Sequence, residues 1–92
     1  MEQSIASRID TRSDELAALT ADLIRFPTVN PPGDAYRPCA EYIAERLRKR
    51  GFAIEFVRAE GTPGDGDLYP RVDVVARIEG GRPGPTVHFN SH

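Results

Sequence analysis

The chain has 92 residues, 39% of them apolar and 28% charged, an ordinary balance for a globular protein. A domain this short buries only a little over ~60% of its unfolded surface, so its stability margin is thin. With 12 basic and 14 acidic residues and a net charge of −2, the sequence lacks the basic face that phosphate contacts require, and nucleic acid is excluded as an expected partner.

Ile5, Ile9, Leu16, Leu19, Leu23 and Phe26 recur at helical spacings. The pattern predicts a first helix between Ser4 and Phe26 with one apolar face. Burying each such side chain contributes ~1.5–3 kcal/mol, so the stripe, not intrinsic propensity, is the expected source of stability. Thr11 with Asp14 reads as a capping pair that would start the helix as late as Thr11. Pro27 ends it, because proline lacks the N–H and disfavours helix at the preceding residue.

Residues 26–34 read FPTVNPPGD, a stiff connecting loop. A second helix is predicted over Tyr36–Arg50, with Tyr36, Ala40, Ile43, Ala44 and Leu47 on its apolar face. Gly51 suits the left-handed position past its end, and Phe52 the apolar contact that accompanies such a cap. Arg46, Arg48, Lys49 and Arg50 read as a cationic last turn that complements the helix dipole.

Phe52–Val57 reads as a strand with Phe52, Ile54 and Phe56 on one face. Glu60–Pro70 is a polar loop. Asp65 and Asp67 within its GDGD lack the terminal glutamate of a calcium loop and read as a solvated turn. Arg71–Glu79 is the next predicted strand: Val72, Val74, Ala76 and Ile78 alternate with Asp73, Val75, Arg77 and Glu79. Val75 makes its centre apolar on both faces, as in a strand covered on two sides. Gly80–Pro85 is a predicted tight turn and Thr86–Asn90 a third short strand. Two helices cannot cover both faces of three strands, so the expected fold class is α/β, as part of a layered domain.

His88 and His92 are the only histidines. Four residues of extended chain span ~13 Å, whereas metal–nitrogen bonds are ~2.0–2.1 Å, so one ion does not take both. His92 follows the end of an apolar strand, where α/β sheets tend to place their sites, and is the candidate metal ligand. Cys39, the single cysteine, can form no intrachain disulfide and fits a reducing compartment. Within a helix beside Ala40 it reads as a small filler, not a nucleophile. No apolar run approaches the ~20 residues of a membrane span, and no signal-peptide core is evident. The expectation is a cytoplasmic protein with no membrane partner. GxGxxG, Walker, CxxC and HExxH motifs are all absent.

Leu23–Asp34, LIRFPTVNPPGD, resembles the opening signature of a zinc-dependent metallopeptidase family. That family includes acetylornithine deacetylase, succinyl-diaminopimelate desuccinylase, aminoacylase and glutamate carboxypeptidase. An amphipathic helix, a proline-bearing loop, a helix ending near glycine and a strand pair follow in the family's order. Gly84–His92, GPTVHFNSH, is similar to the stretch that runs into its H-x-D motif.

The resemblance implies that residues 1–92 are the N-terminal portion of a three-layer α/β/α zinc-exopeptidase-like catalytic domain with a mixed sheet. The rest of that domain and a lid or dimerisation domain would lie elsewhere. His92 matches the histidine that binds one zinc. The bridging aspartate would fall at position 94, and the general-base glutamate and other ligands further on. No catalytic or cofactor-binding residue is then expected within the chain, which alone would be inactive. Ser91 departs from the glycine common at its position, and His88 stands where the family usually has an aliphatic residue.

The implied activity is hydrolysis of the amide bond of an N-acyl amino acid, with two zinc (or cobalt) ions lowering the pKa of a bridging water toward ~7. The full-length form is expected to be a homodimer. The resemblance also implies a further strand between the last two strands here, leaving Thr86–Asn90 with an unpaired edge. The alternative expectation is a non-catalytic interaction module that pairs an exposed strand edge with a partner.

Overall fold

A computed structural model describes residues 4–91. Its elements run α1 (Ile5–Asp10), α2 (Ser13–Ile24), α3 (Tyr36–Arg48), β1 (Ala53–Arg58) and β2 (Val72–Arg77). Among the described residues this is a small mixed α/β arrangement: three helices and a two-stranded antiparallel sheet.

The single N-terminal helix expected from periodicity is two helices. Ser4 caps α1, its Oγ accepting from the Ser7 amide at 3.1 Å. Thr11 does not cap α2. Its hydroxyl donates to the Arg8 carbonyl at 2.8 Å and so belongs to the last turn of α1. Arg12, at φ −111° and ψ 16°, breaks the helical path, and α2 starts after it without a side-chain cap.

The expected burial of the apolar stripe also needs correction. Neither α1 nor α2 contains a buried residue, and Ile5, Ile9 and Leu16 are exposed. Only the far end of the stripe, Leu19, Leu23 and Phe26, is half-buried. There α2 meets α3. The Tyr42 hydroxyl donates to Asp22 Oδ2 at 2.7 Å, and the Phe26 and Tyr42 rings lie 5.4 Å apart.

Helix α3 begins at Tyr36 as periodicity predicts. Ala40 and Ala44 are its buried residues, with Tyr36, Ile43 and Leu47 half-buried beside them. Small side chains on this face let the helix lie close on the sheet. Gly51 adopts φ +92°. The Gly51 amide donates to the Arg48 carbonyl at 3.0 Å and the Phe52 amide to the Leu47 carbonyl at 3.1 Å. That bond pair closes a helix through a left-handed glycine and turns the chain directly into β1.

Strands β1 and β2 pair in register from Ala53 opposite Arg77 to Arg58 opposite Val72. Ile54, Phe56, Val72, Val74 and Ala76 are half-buried on the face that α3 covers. Arg48 crosses from α3 to lie 5.8 Å from the Phe56 ring centroid. Val57, Val75 and the polar residues between them face outward and are exposed. Val75 thus lies on a face that no other element covers among the described residues, where α3 is the one helical cover of the sheet.

The third strand expected over Thr86–Asn90 does not form. That segment has no regular secondary structure because no strand lies alongside to pair with it. Gly80–Pro85 is a bend at residues 81–83, not a hydrogen-bonded tight turn. The accessible surface is 7968 Å² for a 10.2 kDa chain, against ~5,300 Å² for a compact monomer of that mass. Much apolar surface thus remains in contact with solvent.

Candidate functional site

His92, the expected metal ligand, lies outside the described residues. His88 is exposed on the segment after β2. Among the described residues, no group of three or more His, Cys, Asp or Glu side chains gathers where it could hold a metal ion. Cys39 is half-buried on α3, and burial pushes its thiol above the ordinary 9.0. The protonated thiol is a poor nucleophile, which fits the filler reading.

Three of the four cations at the end of α3 are engaged within the chain. Arg46 donates to the Tyr42 hydroxyl at 3.4 Å, Arg48 lies 3.8 Å from Glu45, and Arg50 reaches back to Glu15 at 2.7 Å. Among the described residues, no helix is long and apolar enough to cross a membrane.

The most elaborate polar arrangement stands where β1 ends and β2 begins. Arg58 closes β1 opposite Val72, and the loop between them brings Asp65 back onto Arg58. The Asp65 side chain is only 4% exposed. Its Oδ1 accepts from the Arg71 amide at 2.9 Å and from Arg58 Nε at 3.2 Å; its Oδ2 accepts from Arg58 Nη2 at 3.3 Å. The Arg71 amide, and then the Arg58 guanidinium, hold the Asp65 carboxyl below the ordinary aspartate range. Asp67 accepts from the same Arg58 Nη2 at 3.2 Å, but its carboxylate stands fully in solvent, where such a contact adds little.

Arg71 carries the arrangement to a second loop. Its Nη2 donates to Asn30 Oδ1 at 3.0 Å, and its guanidinium carbon lies 5.8 Å from the Tyr36 ring centroid. Its Nε is buried without a partner. Gly64, at φ +87°, lies against this guanidinium, and a Cβ there would collide with Arg71 Nη2. The proline-rich loop holding Asn30 is thereby fastened to the entry of β2.

Both Asp65 oxygens are committed to Arg58 and Arg71, so Asp65 is a clasp and not an acid or base for catalysis. The solvated-turn reading of GDGD holds for Asp67 and fails for Asp65. The signal that could have found the clasp was the arginine at each end of the loop, Arg58 and Arg71. No family model, curated protein or solved structure matches this chain. What it does must be read from its own residues.

Proposed function

We propose that this chain is the N-terminal part of the catalytic domain of a zinc-dependent amidohydrolase of the deacetylase and desuccinylase type. The reading includes the finer architecture, a three-layer α/β/α domain with a mixed sheet, of which α3 and the hairpin supply one helical cover and two strands. One observation carries it most. The proline-rich segment that resembles the family signature is joined through Asn30 and Arg71 to the strand pair leading toward Gly84–His92. The first stretch that resembles the family is thus fastened to the hairpin that precedes the second one in the sequence.

The excess apolar surface supports the same reading. The outward face of the hairpin and the apolar side chains of residues 84–91 are what further strands and helices of a layered domain would cover. In this reading His92 supplies one imidazole to the metal site, the substrate is an N-acyl amino acid, the complete protein is a homodimer, and its location is the cytoplasm. The described residues contribute position and not chemistry: the clasp sets the loop and strand that lead toward the site.

The test is hydrolysis. The protein expressed from the whole reading frame and loaded with zinc is expected to release free amine from N-acetyl or N-succinyl amino acids. A chelator should abolish that release. His92→Ala should remove it while His88→Ala leaves it. If a panel of N-acyl amino acids gives no release with zinc or cobalt, the proposal fails. For the 92-residue chain alone, titration calorimetry should show no tight stoichiometric zinc binding.

A further inference from the structure

Arg71 is held by two different loops. Its amide donates to Asp65 Oδ1 at 2.9 Å, and its carbonyl accepts from the Ala59 amide at 2.9 Å. The hairpin loop, residues 59–70, thus engages both of its backbone groups. The side chain leaves that loop and donates to Asn30 Oδ1 at 3.0 Å, within cation–π reach of the Tyr36 ring. Gly64 of the hairpin loop lies against the guanidinium, too close for any Cβ to fit between them.

The proline-rich loop is otherwise bonded to itself. Among the described residues, the backbone hydrogen bonds of residues 27–34 all end within residues 26–34. The Gly33 and Asp34 amides both donate to the Val29 carbonyl, at 2.8 and 3.0 Å. Gly33 is buried although residues 27–32 are exposed. The Tyr36 ring is next to it: a Cβ on Gly33 would meet Tyr36 Cε2 at 3.3 Å. Tyr36 therefore stands beside both Gly33 and Arg71.

Asp65 makes the hairpin loop an all-or-none element. Its side chain is 4% exposed and both of its oxygens are engaged. A half-open loop would keep the carboxylate out of water while stripping it of donors, which is worse than either end state. The loop is thus closed, with Arg71 fixed, or released, with Asp65 in water. Release takes from Arg71 the bond that sets its backbone and the Gly64 contact that confines its side chain. The bond to Asn30 goes with them, because an unconfined arginine regains the rotamer freedom that the bond costs.

We infer that the hairpin loop and the proline-rich loop form one cooperative unit pinned by Arg71, so that loss of the Arg58–Asp65 grip opens the turn at Gly33 and Asp34. Neither Arg58 nor Asp65 forms a hydrogen bond or ion pair with that turn among the described residues. By linkage the coupling runs equally in reverse. It does not rest on the hydrolase proposal, and its test uses neither metal nor substrate.

Amide hydrogen exchange on the full chain, followed residue by residue by NMR, reads each loop separately. Asp65→Asn keeps the side-chain shape but turns an NH2 group toward the donors of Arg58 or Arg71. It should speed exchange at Gly33 and Asp34 about tenfold while Ala44, fully buried on α3, keeps its rate. Asp67→Asn removes the same charge from a solvent-exposed partner of Arg58 and should change none of these rates. Arg71→Lys retains the amide and the positive charge but not the fork that reaches Asn30. In that variant Gly33 and Asp34 should already exchange fast, and adding Asp65→Asn should do nothing more. Asn30→Ala should in turn speed exchange of the Arg71 amide by about the same tenfold factor. The inference is overturned if Gly33 and Asp34 stay protected in Asp65→Asn, if Ala44 accelerates equally with them, or if Asp67→Asn acts as strongly. It is equally overturned if the Asp65→Asn effect persists in the Arg71→Lys background, or if Asn30→Ala leaves the Arg71 amide unchanged.

Discussion

Arg58 grips Asp65 with two donors, Nε at 3.2 Å and Nη2 at 3.3 Å, across the mouth of the hairpin loop. The ionised form of Asp65 is the one the fold holds, with its carboxyl below the ordinary value of 3.8. A lowered folded-state pKa gives stability that is whole well above 3.8 and drains away as pH falls from there through the lowered value. Thermal melts taken from about pH 6 down to about pH 3 should therefore show the loop loosening at the acid end. Asp65→Asn should melt earlier at neutral pH and lose most of that acid dependence. An Asn variant with an unchanged acid profile would show that some other group carries it.

Gly64 and Gly66 lie in the same loop and should respond differently to alanine. Gly64 has φ +87° and sits against Arg71; Gly66 has no positive φ and nothing within 4 Å of an added Cβ. Gly64→Ala should cost about 1–2 kcal/mol from the left-handed backbone alone. It should also displace Arg71 from Asn30. Gly66→Ala should stay within about 0.5 kcal/mol of the parent. Urea unfolding of the two variants measures the difference, and equal midpoints would mean that Gly64 is not locked against Arg71.

At Gly51 the same substitution meets no crowding, since the nearest atom to an added Cβ is Ile78 Cδ1 at 3.8 Å. The cost of Gly51→Ala is then conformational, about 1 kcal/mol or slightly more. Gly51→Asn should cost less, because asparagine tolerates the left-handed region. If alanine and asparagine destabilise equally in the same unfolding experiment, backbone strain is not what Gly51 relieves.

These glycines show which parts of the fold could be read in advance. Gly51 followed an apolar helical stripe and preceded an alternating run, so local chemistry alone marked the helix end and the turn into β1. The face Ala40–Ala44 and the pairing of two alternating strands were legible for the same reason: each pattern has a period that burial must match. The failures came where a partner decides. Thr86–Asn90 has strand composition but no neighbour, and composition cannot supply a ladder. Ile5, Ile9 and Leu16 have helical spacing but are exposed among the described residues. Asp65 looked like Asp67, and only the fold, by folding the loop back on Arg58, separated a clasped carboxylate from a solvated one. His92, the residue on which the metal expectation depends, lies outside the described residues.

The unequal burial of the two helical stripes gives the sharpest stability test. The spacing of Ile5 predicts a buried side chain worth ~1.5–3 kcal/mol, yet Ile5 is 77% exposed. Ile5→Ser should therefore change stability by no more than about 0.5 kcal/mol. Ala44 has no exposed surface at all, because α3 crosses the sheet there. Ala44→Leu must push α3 off the strands and should cost about 1–3 kcal/mol. Comparing the two by chemical denaturation asks whether the core lies under α3. A large loss at Ile5 beside a small one at Ala44 would move it to the N-terminal helices and undo the packing described above.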